Sequence, residues 1–364
     1  MTRLPRTRFV TAAAVLTTAV MLLAAVPGNA ESRRASTDRP AAPVFRAIQA
    51  DSDTSVKEIK VSWSGTADRD YTEAARVPGI GTVKLVCKPK NTIIKLTADS
   101  RIPETQMWLA KHEWKNGNRV VAVKNARIYK YANANDDGTG GTGRSAHEGL
   151  NQLGHVENRS EGGYAYGLIS QRPGRHRSAG TAPLRPVTSF YLTWFWNGFD
   201  HPRQYQSCEF RLRMVTHYGE LLGINWHGDQ DAAGNEVRTG QVPGLGEVAL
   251  TCRTGGRSED QWVTLAPEST DPAVLEGSYA DFSVMTGEGR VEDHVETATG
   301  YEYDPETGLI GPIDLPRNGM MRVKYSVGDV TRWFYLSSYM VVNNAKRPEL
   351  NVCEVAMGGA ADQF

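Results

Sequence analysis

Cysteine is scarce in this 364-residue chain: there are four, and no two stand in a CxxC spacing. That spacing is what a redox dithiol or a thiolate zinc site would show, so the four are expected to form disulfides. Charge of either sign in excess is missing too, with 41 Lys and Arg against 41 Asp and Glu. After the N-terminal apolar run, no second run of about 18 apolar residues follows, the minimum for a membrane-spanning helix. The motifs with the clearest catalytic mechanics are also missing. There is no GxSxG, no HExxH, no GxxxxGK[ST], and no GxGxxG following a strand. Their absence excludes those families only, because a Ser-His-Asp set is recognised by geometry and not by order.

What is present begins with Arg3, Arg6 and Arg8, the apolar run Phe9 to Val26, and a Pro-Gly-Asn-Ala ending at Ala30. This is the pattern of a secretory signal with cleavage before Glu31. A retained membrane anchor is the rival reading, weakened by Thr11, Thr17 and Thr18 within the run. No Cys stands near the cleavage site and no adjacent Arg pair precedes the run, so neither a lipid anchor nor the twin-arginine route is indicated. Loss of residues 1–30 leaves 38 basic against 41 acidic residues, a net charge of −3. Such a chain is expected to be secreted, free of the membrane after cleavage, and no binder of nucleic acid. Residues 31–55, rich in Ala, Ser, Pro, Asp and Arg without periodicity, read as a flexible leader.

The chain repeats itself. VPGIGTVKLVC, ending at Cys87, returns as VPGLGEVALTC, ending at Cys252, and each reads as a type II turn feeding a half-buried strand. The WxGxxD of Trp63, Gly65 and Asp68 returns at Trp226, Gly228 and Asp231; Phe190-Tyr191-Leu192 returns at Phe334-Tyr335-Leu336; and Cys208-Glu209 returns at Cys353-Glu354. The offsets are 163 for the Trp, 165 for the first Cys, 144 for Phe-Tyr-Leu and 145 for the second Cys. The first copy therefore holds about 21 extra residues between Cys87 and Phe190. A weaker match of Gly163-Tyr164-Ala165-Tyr166 to Gly300-Tyr301-Glu302-Tyr303 places them before Tyr164, in the Gly-rich stretch 136–163, which reads as a long surface loop. If each copy holds one equivalent bridge, Cys87 pairs with Cys208 and Cys252 with Cys353.

Strand-type alternation dominates elsewhere, as in VKEIKVSW at 56–63 and Cys208, Phe210, Leu212, Met214. FYLTWFW at 190–196 is apolar on both faces, which implies a strand covered on both sides or one with an exposed aromatic face. Helix is suggested only at 103–114 and 271–280. The expected fold is mainly β: two tandem duplicated β-sandwich-like domains at 56–218 and 219–358, each pinned by one disulfide, with a C-terminal tail at 359–364.

Candidate functional residues concentrate in the first copy. Ser145, His147, Glu148, His155 and Glu157 hold nucleophile, base and acid chemistry within a dozen residues, and Arg144 adds a charge. A loop is a poor frame for catalysis, which needs groups held to fractions of an ångström, so a solvated polar loop is preferred over a catalytic set. The same residues match no strong zinc spacing, and Ala233 and Gly240 stand where an EF-hand starting at Asp229 needs ligands. No metal or cofactor is expected. Arg172, Arg175 and His176, with Arg177, form a basic cluster suited to an anionic partner or to solvent. Trp194 and Trp196 could stack on a ligand or fill the core. The expected function is a secreted, non-catalytic protein that recognises a protein or polysaccharide partner through its first domain. The alternatives are a secreted hydrolase using the first-domain loop or an inter-domain cleft, and a protease inhibitor.

Overall fold

The computed structural model describes residues 54–65, 71–87, 93–99, 104–115, 118–128, 160–172, 180–182, 187–197, 202–217, 223–227, 236–255, 258–286, 297–341 and 352–363. These are almost entirely strand. The first half of the chain supplies β1 (Thr54–Ser64), β2 (Tyr71–Val77), β3 (Gly81–Cys87), β4 (Ile93–Ala98), β5 (Glu104–Lys115), β6 (Asn118–Ile128), β7 (Ser160–Arg172), β8 (Gly180–Ala182), β9 (Val187–Asn197) and β10 (Ser207–His217). The second supplies β11 (Gly223–His227), β12 (Glu236–Val242), β13 (Gly246–Gly255), β14 (Ser258–Pro267), helix α1 (Pro272–Glu276), β15 (Tyr279–Thr286), β16 (Thr297–Asp304), β17 (Leu309–Asp314), β18 (Asn318–Val327), β19 (Val330–Val341) and β20 (Val352–Gly359).

All the described strand pairs are antiparallel, as the clean alternation of the sequence implies. In the first half a six-stranded sheet of order β1-β10-β9-β7-β5-β6 lies over a small sheet of order β2-β3-β4. Their facing side chains make one core, which includes Val61, Trp63, Val83, Leu85, Phe190, Leu192, Phe210 and Leu212. In the second half one curled sheet contains the run β11-β20-β19-β18-β15-β16 and the run β12-β13-β14, joined through β17, and encloses a core of its own.

Each expected bridge forms, and each ties the two faces of one core. Cys87 on β3 bonds Cys208 on β10 with Cα atoms 5.9 Å apart, and Cys252 on β13 bonds Cys353 on β20 at 6.1 Å. All four sulfurs are buried. The turns that feed β3 and β13 close as the sequence predicts: Ile80 N–H donates to Val77 O and Leu245 N–H to Val242 O, both at 3.0 Å, with Gly79 and Gly244 at φ of 67° and 75°. Trp63, the first residue of the repeated WxG, donates its indole N–H to Cys87 O at 2.6 Å, tying β1 to the bridge.

Three expectations change. The suggested helix at 103–114 falls on β5 (Glu104–Lys115), a strand covered on both faces over Met107–His112. Met107 and Leu109 enter the first core, while Trp108 and Ala110 enter a third apolar cluster described below. Continuous burial hides the period of two, which is why the segment imitates a helix. The other suggested helix is short but real: α1 starts at an Asp271 cap whose carboxylate accepts from Ala273 N–H at 3.0 Å. Residues 160–163 of the expected loop 136–163 belong to β7, which begins at Ser160, and the rest of that stretch lies outside the described residues. The Gly-Tyr match also fails to mark equivalent strands. Tyr164 lies on β7, between β5 and β9, whereas Tyr301 lies on β16, between β15 and β17, so the shared pattern reflects strand alternation.

Residues 46–364 form one compact unit, because the six-stranded sheet buries its second face against the second half. Trp108, Tyr166, Leu168, Val187 and Val215 meet Met285, Met320, Tyr335, Ala356, Ala360 and Ala361 there. Backbone approach is close inside the first sheet as well: a Cβ at Gly167 would stand 1.9 Å from Trp108 O and 2.6 Å from the Phe190 ring.

Replacing Cys87 and Cys208 together by Ser removes the bridge across the first core and is expected to cost about 2–5 kcal/mol. Urea unfolding of the oxidised wild type and the double variant checks this. A loss under about 1 kcal/mol would show that strand pairing alone holds the two sheets.

Candidate functional site

Alternation along β9 sorts its aromatic residues between two faces. Phe190, Leu192, Trp194 and Trp196 point into the first core, so Tyr191, Thr193, Phe195 and Asn197 share the outer face of the six-stranded sheet. Pairing across the sheet places Tyr166 and Arg213 beside Tyr191, Tyr164 and Arg211 beside Thr193, and Gly162 and Glu209 beside Phe195. The second half covers the end of this face that holds Leu168, Val187 and Val215. The end towards Asn197 is open: Phe195 is 50% exposed, and Tyr164, Tyr191 and Thr193 are partly exposed.

The line where cover ends is built from rings and one carboxylate. Tyr166 stacks on Tyr335 across the two halves, with ring centroids 4.8 Å apart, and its hydroxyl points at Met285 Sδ at 3.8 Å. His112 stacks on Tyr164 at 4.3 Å, and Tyr164 approaches Tyr191 at 6.0 Å. From the second half, Arg322 lies 4.2 Å over the Trp333 ring and donates to Asp362 Oδ2 at 2.6 Å, and Tyr335 Oη donates to Asp362 Oδ1 at 2.6 Å. Burial raises the Tyr335 phenol well above its usual pKa, and Asp362 adds to the effect. Tyr191 is raised as well, by burial first and then by Asp362 and Tyr164, with Arg322 opposing. Both phenols stay protonated at neutral pH and act as packing and hydrogen-bonding elements.

Within the expected tail 359–364, residues 359–362 complete this boundary. Ala360 and Ala361 are fully buried, and Ala360 N–H donates to Trp333 O at 3.0 Å. Ser189 Oγ donates to Gly359 O at 2.5 Å, and Gly359 N–H donates to His217 Nε2 at 3.0 Å. Two side chains of the first half thus hold the last strand of the second. Burial lowers the His217 pKa from 6.5 to about 4, and the accepting Nε2 requires the neutral ring.

A second polar group lies on the outer face of β15 and β18. Lys324 Nζ donates to Tyr279 Oη at 2.7 Å, which together with Ser326 lowers the Tyr279 pKa. Among the described residues no group of three or more His, Cys, Asp or Glu is arranged to hold a metal ion, and no helix is long and apolar enough to cross a membrane.

The residues expected to bind fall unevenly on this surface. Trp194 and Trp196 are buried in the first core, so they serve packing, and the ring beside them, Phe195, takes the exposed place. Arg172 is the last residue of β7, in register with Glu104. Arg144, His147, His155, Arg175 and His176 lie outside the described residues, as do Ser145, Glu148 and Glu157. Sequence reasoning missed Tyr164, Tyr191, Phe195, Arg322, Trp333 and Asp362. The signal for Phe195 was present in the double-faced FYLTWFW run, but the run alone does not say which parity faces a core. No family model matches the chain, and no curated protein resembles it significantly.

His217 generates a pH dependence with a definite sign. Above pH 6.5 it is neutral in both states; between about 6.5 and 4 the unfolded chain binds the proton that the folded chain refuses, so stability falls as pH falls. The loss is expected to approach about 3 kcal/mol near pH 4. Unfolding midpoints measured across this window should show a slope that His217→Gln, which keeps an acceptor, reduces. An unchanged slope in the variant would assign it to other groups.

Proposed function

We propose that this is a secreted binding protein, made by duplication of one disulfide-pinned β-sandwich unit, which recognises a protein or polysaccharide partner through its first unit. Three correspondences support the duplication. The order β1-β10-β9-β7-β5-β6 has a counterpart in β11-β20-β19-β18-β15-β16, and β2-β3-β4 in β12-β13-β14. Each bridge joins the middle strand of the smaller run to the strand beside the edge strand of the larger one. Both VPG turns feed the bridged middle strand. Two buried disulfides and no free cysteine fit an oxidising compartment, in line with the secretory signal read from residues 1–30.

The observation that carries the binding reading is Phe195. A half-exposed phenylalanine stands on a strand whose other face is buried in the first core, on the same outer face as the partly exposed Tyr164 and Tyr191 and within a rim of Arg and Glu. Aromatic residues and Arg on rigid strands are the composition of recognition surfaces, because they bring contact area at small entropic cost. The 136–163 stretch, with Arg144, His147 and His155, leads in sequence into β7, which carries Tyr164. Arg172 closes that strand, and Arg175 and His176 follow it in sequence.

The test uses the mature chain from Glu31 and intact cells of the producing organism. The wild type is expected to sediment with the cells, and Tyr191→Ala with Phe195→Ala to reduce retention about tenfold with the unfolding midpoint unchanged. Turnover of generic ester, glycoside or peptide substrates that disappears in His147→Ala would instead establish the hydrolase alternative.

A further inference from the structure

We infer that the open end of the outer face of the six-stranded sheet is a platform for a neutral polysaccharide chain; this rests on the binding function proposed above and names its ligand. The argument starts from shape. Tyr191 and Phe195 lie four residues apart on one face of β9, about 13 Å along the strand. Tyr164 flanks Thr193, the residue between them. The three rings form a narrow strip along the partly exposed end of the sheet, and the ligand that matches a strip is extended and lies along the surface. A protein partner of ordinary size needs about 800 Å² per side with an apolar centre. A strip one or two residues wide, with charged side chains along one side, offers no such centre.

Chemistry narrows the class further. Sugar rings present C–H faces that pack on aromatic rings and hydroxyl edges that seek hydrogen bonds. The strip alternates accordingly: Thr193 separates the two rings on β9, Asn197 ends the strand, and Glu209 and Arg211 stand alongside. Charge decides between neutral and anionic polymers. The cations on this flank already have partners, Lys60 with Glu209 at 3.0 Å, Arg211 with Glu58 at 3.5 Å and Arg213 with Glu58 at 3.4 Å. An anionic glycan would have to displace these carboxylates before it gained a charge-assisted bond. A neutral chain can use the same side chains as donors and acceptors while the pairs stay intact.

The test is depletion of the mature chain by insoluble cellulose, chitin, xylan and starch, with heparin and alginate beads as anionic controls. At least one neutral polymer is expected to deplete the wild type and to keep doing so in high salt, since no net charge is neutralised. Tyr191→Ala with Phe195→Ala should weaken depletion about tenfold, and Phe195→Trp, which preserves a ring, should retain it. Equal unfolding midpoints guard against misfolding. Failure of every neutral polymer, equal depletion by the double Ala variant, or salt-sensitive binding to the anionic beads alone would overturn the inference. So would a dimer in sedimentation velocity that the double Ala variant dissolves, since a second copy would then occupy the strip. Retention on cells that protease treatment of the cells abolishes, with every neutral polymer failing, would leave the binding function standing with a protein partner and sink the polysaccharide.

Discussion

A β-sheet with large apolar residues on both faces needs cover on both, and this constraint shapes the chain. The six-stranded sheet of the first half closes one core with its small partner sheet, yet Trp108, Tyr166, Leu168 and Val215 project from the other side. Burying side chains of this size is worth about 1.5–3 kcal/mol each, so leaving that face wet would forfeit much of a domain's net stability. The second half supplies the cover with its own second face. Ala356, Gly358, Ala360 and Ala361 are small, and a Cβ at Gly358 would already touch Leu168, Val187 and Ser189. Small residues on one sheet thus receive large ones from the other.

The same contact explains why the halves are not independent bodies. Asp362 holds Arg322 and Tyr335 within the second half, while Gly359 is held by Ser189 and His217 of the first. Gly359 and Asp362 therefore sit where the two faces meet. Cover is partial, and the part left open is where the candidate platform lies. Fold and site are two outcomes of one geometry: the second half shields the apolar end of the outer face and stops where Tyr191, Thr193 and Phe195 begin.

Much of the scaffold was legible in the residues. The repeat offsets selected the disulfide pairing, alternation identified β1 and β10, and the VPG turns marked the strands that carry the first cysteine of each pair. What was hidden has a common cause, burial on both faces. It gives β5 a continuous burial that imitates a helix, and it leaves the parity of β9 undecided, so that Trp194 and Trp196 read as ligand-stacking or core residues alike and Phe195 goes unmarked. Periodicity reports burial on one face only; once both are covered, direction must come from long-range pairing. The role of residues 359–363 was hidden for a related reason, since five residues, three of them alanine or glycine, carry no pattern and acquire meaning only from the sheet they meet.

The central claim is that the outer faces of the two large sheets lie against each other, and the Tyr166 and Tyr335 rings mark that contact, 4.8 Å apart and 169 positions apart in sequence. Nuclear Overhauser spectroscopy on the full mature chain, with only tyrosine ring protons visible in a deuterated background, tests it directly. The account predicts a cross-peak between these two rings that disappears in Tyr166→Leu. Absence of that cross-peak, while the contact between Tyr164 and Tyr191 within the first sheet is observed, would contradict the face-to-face packing on which the rest depends.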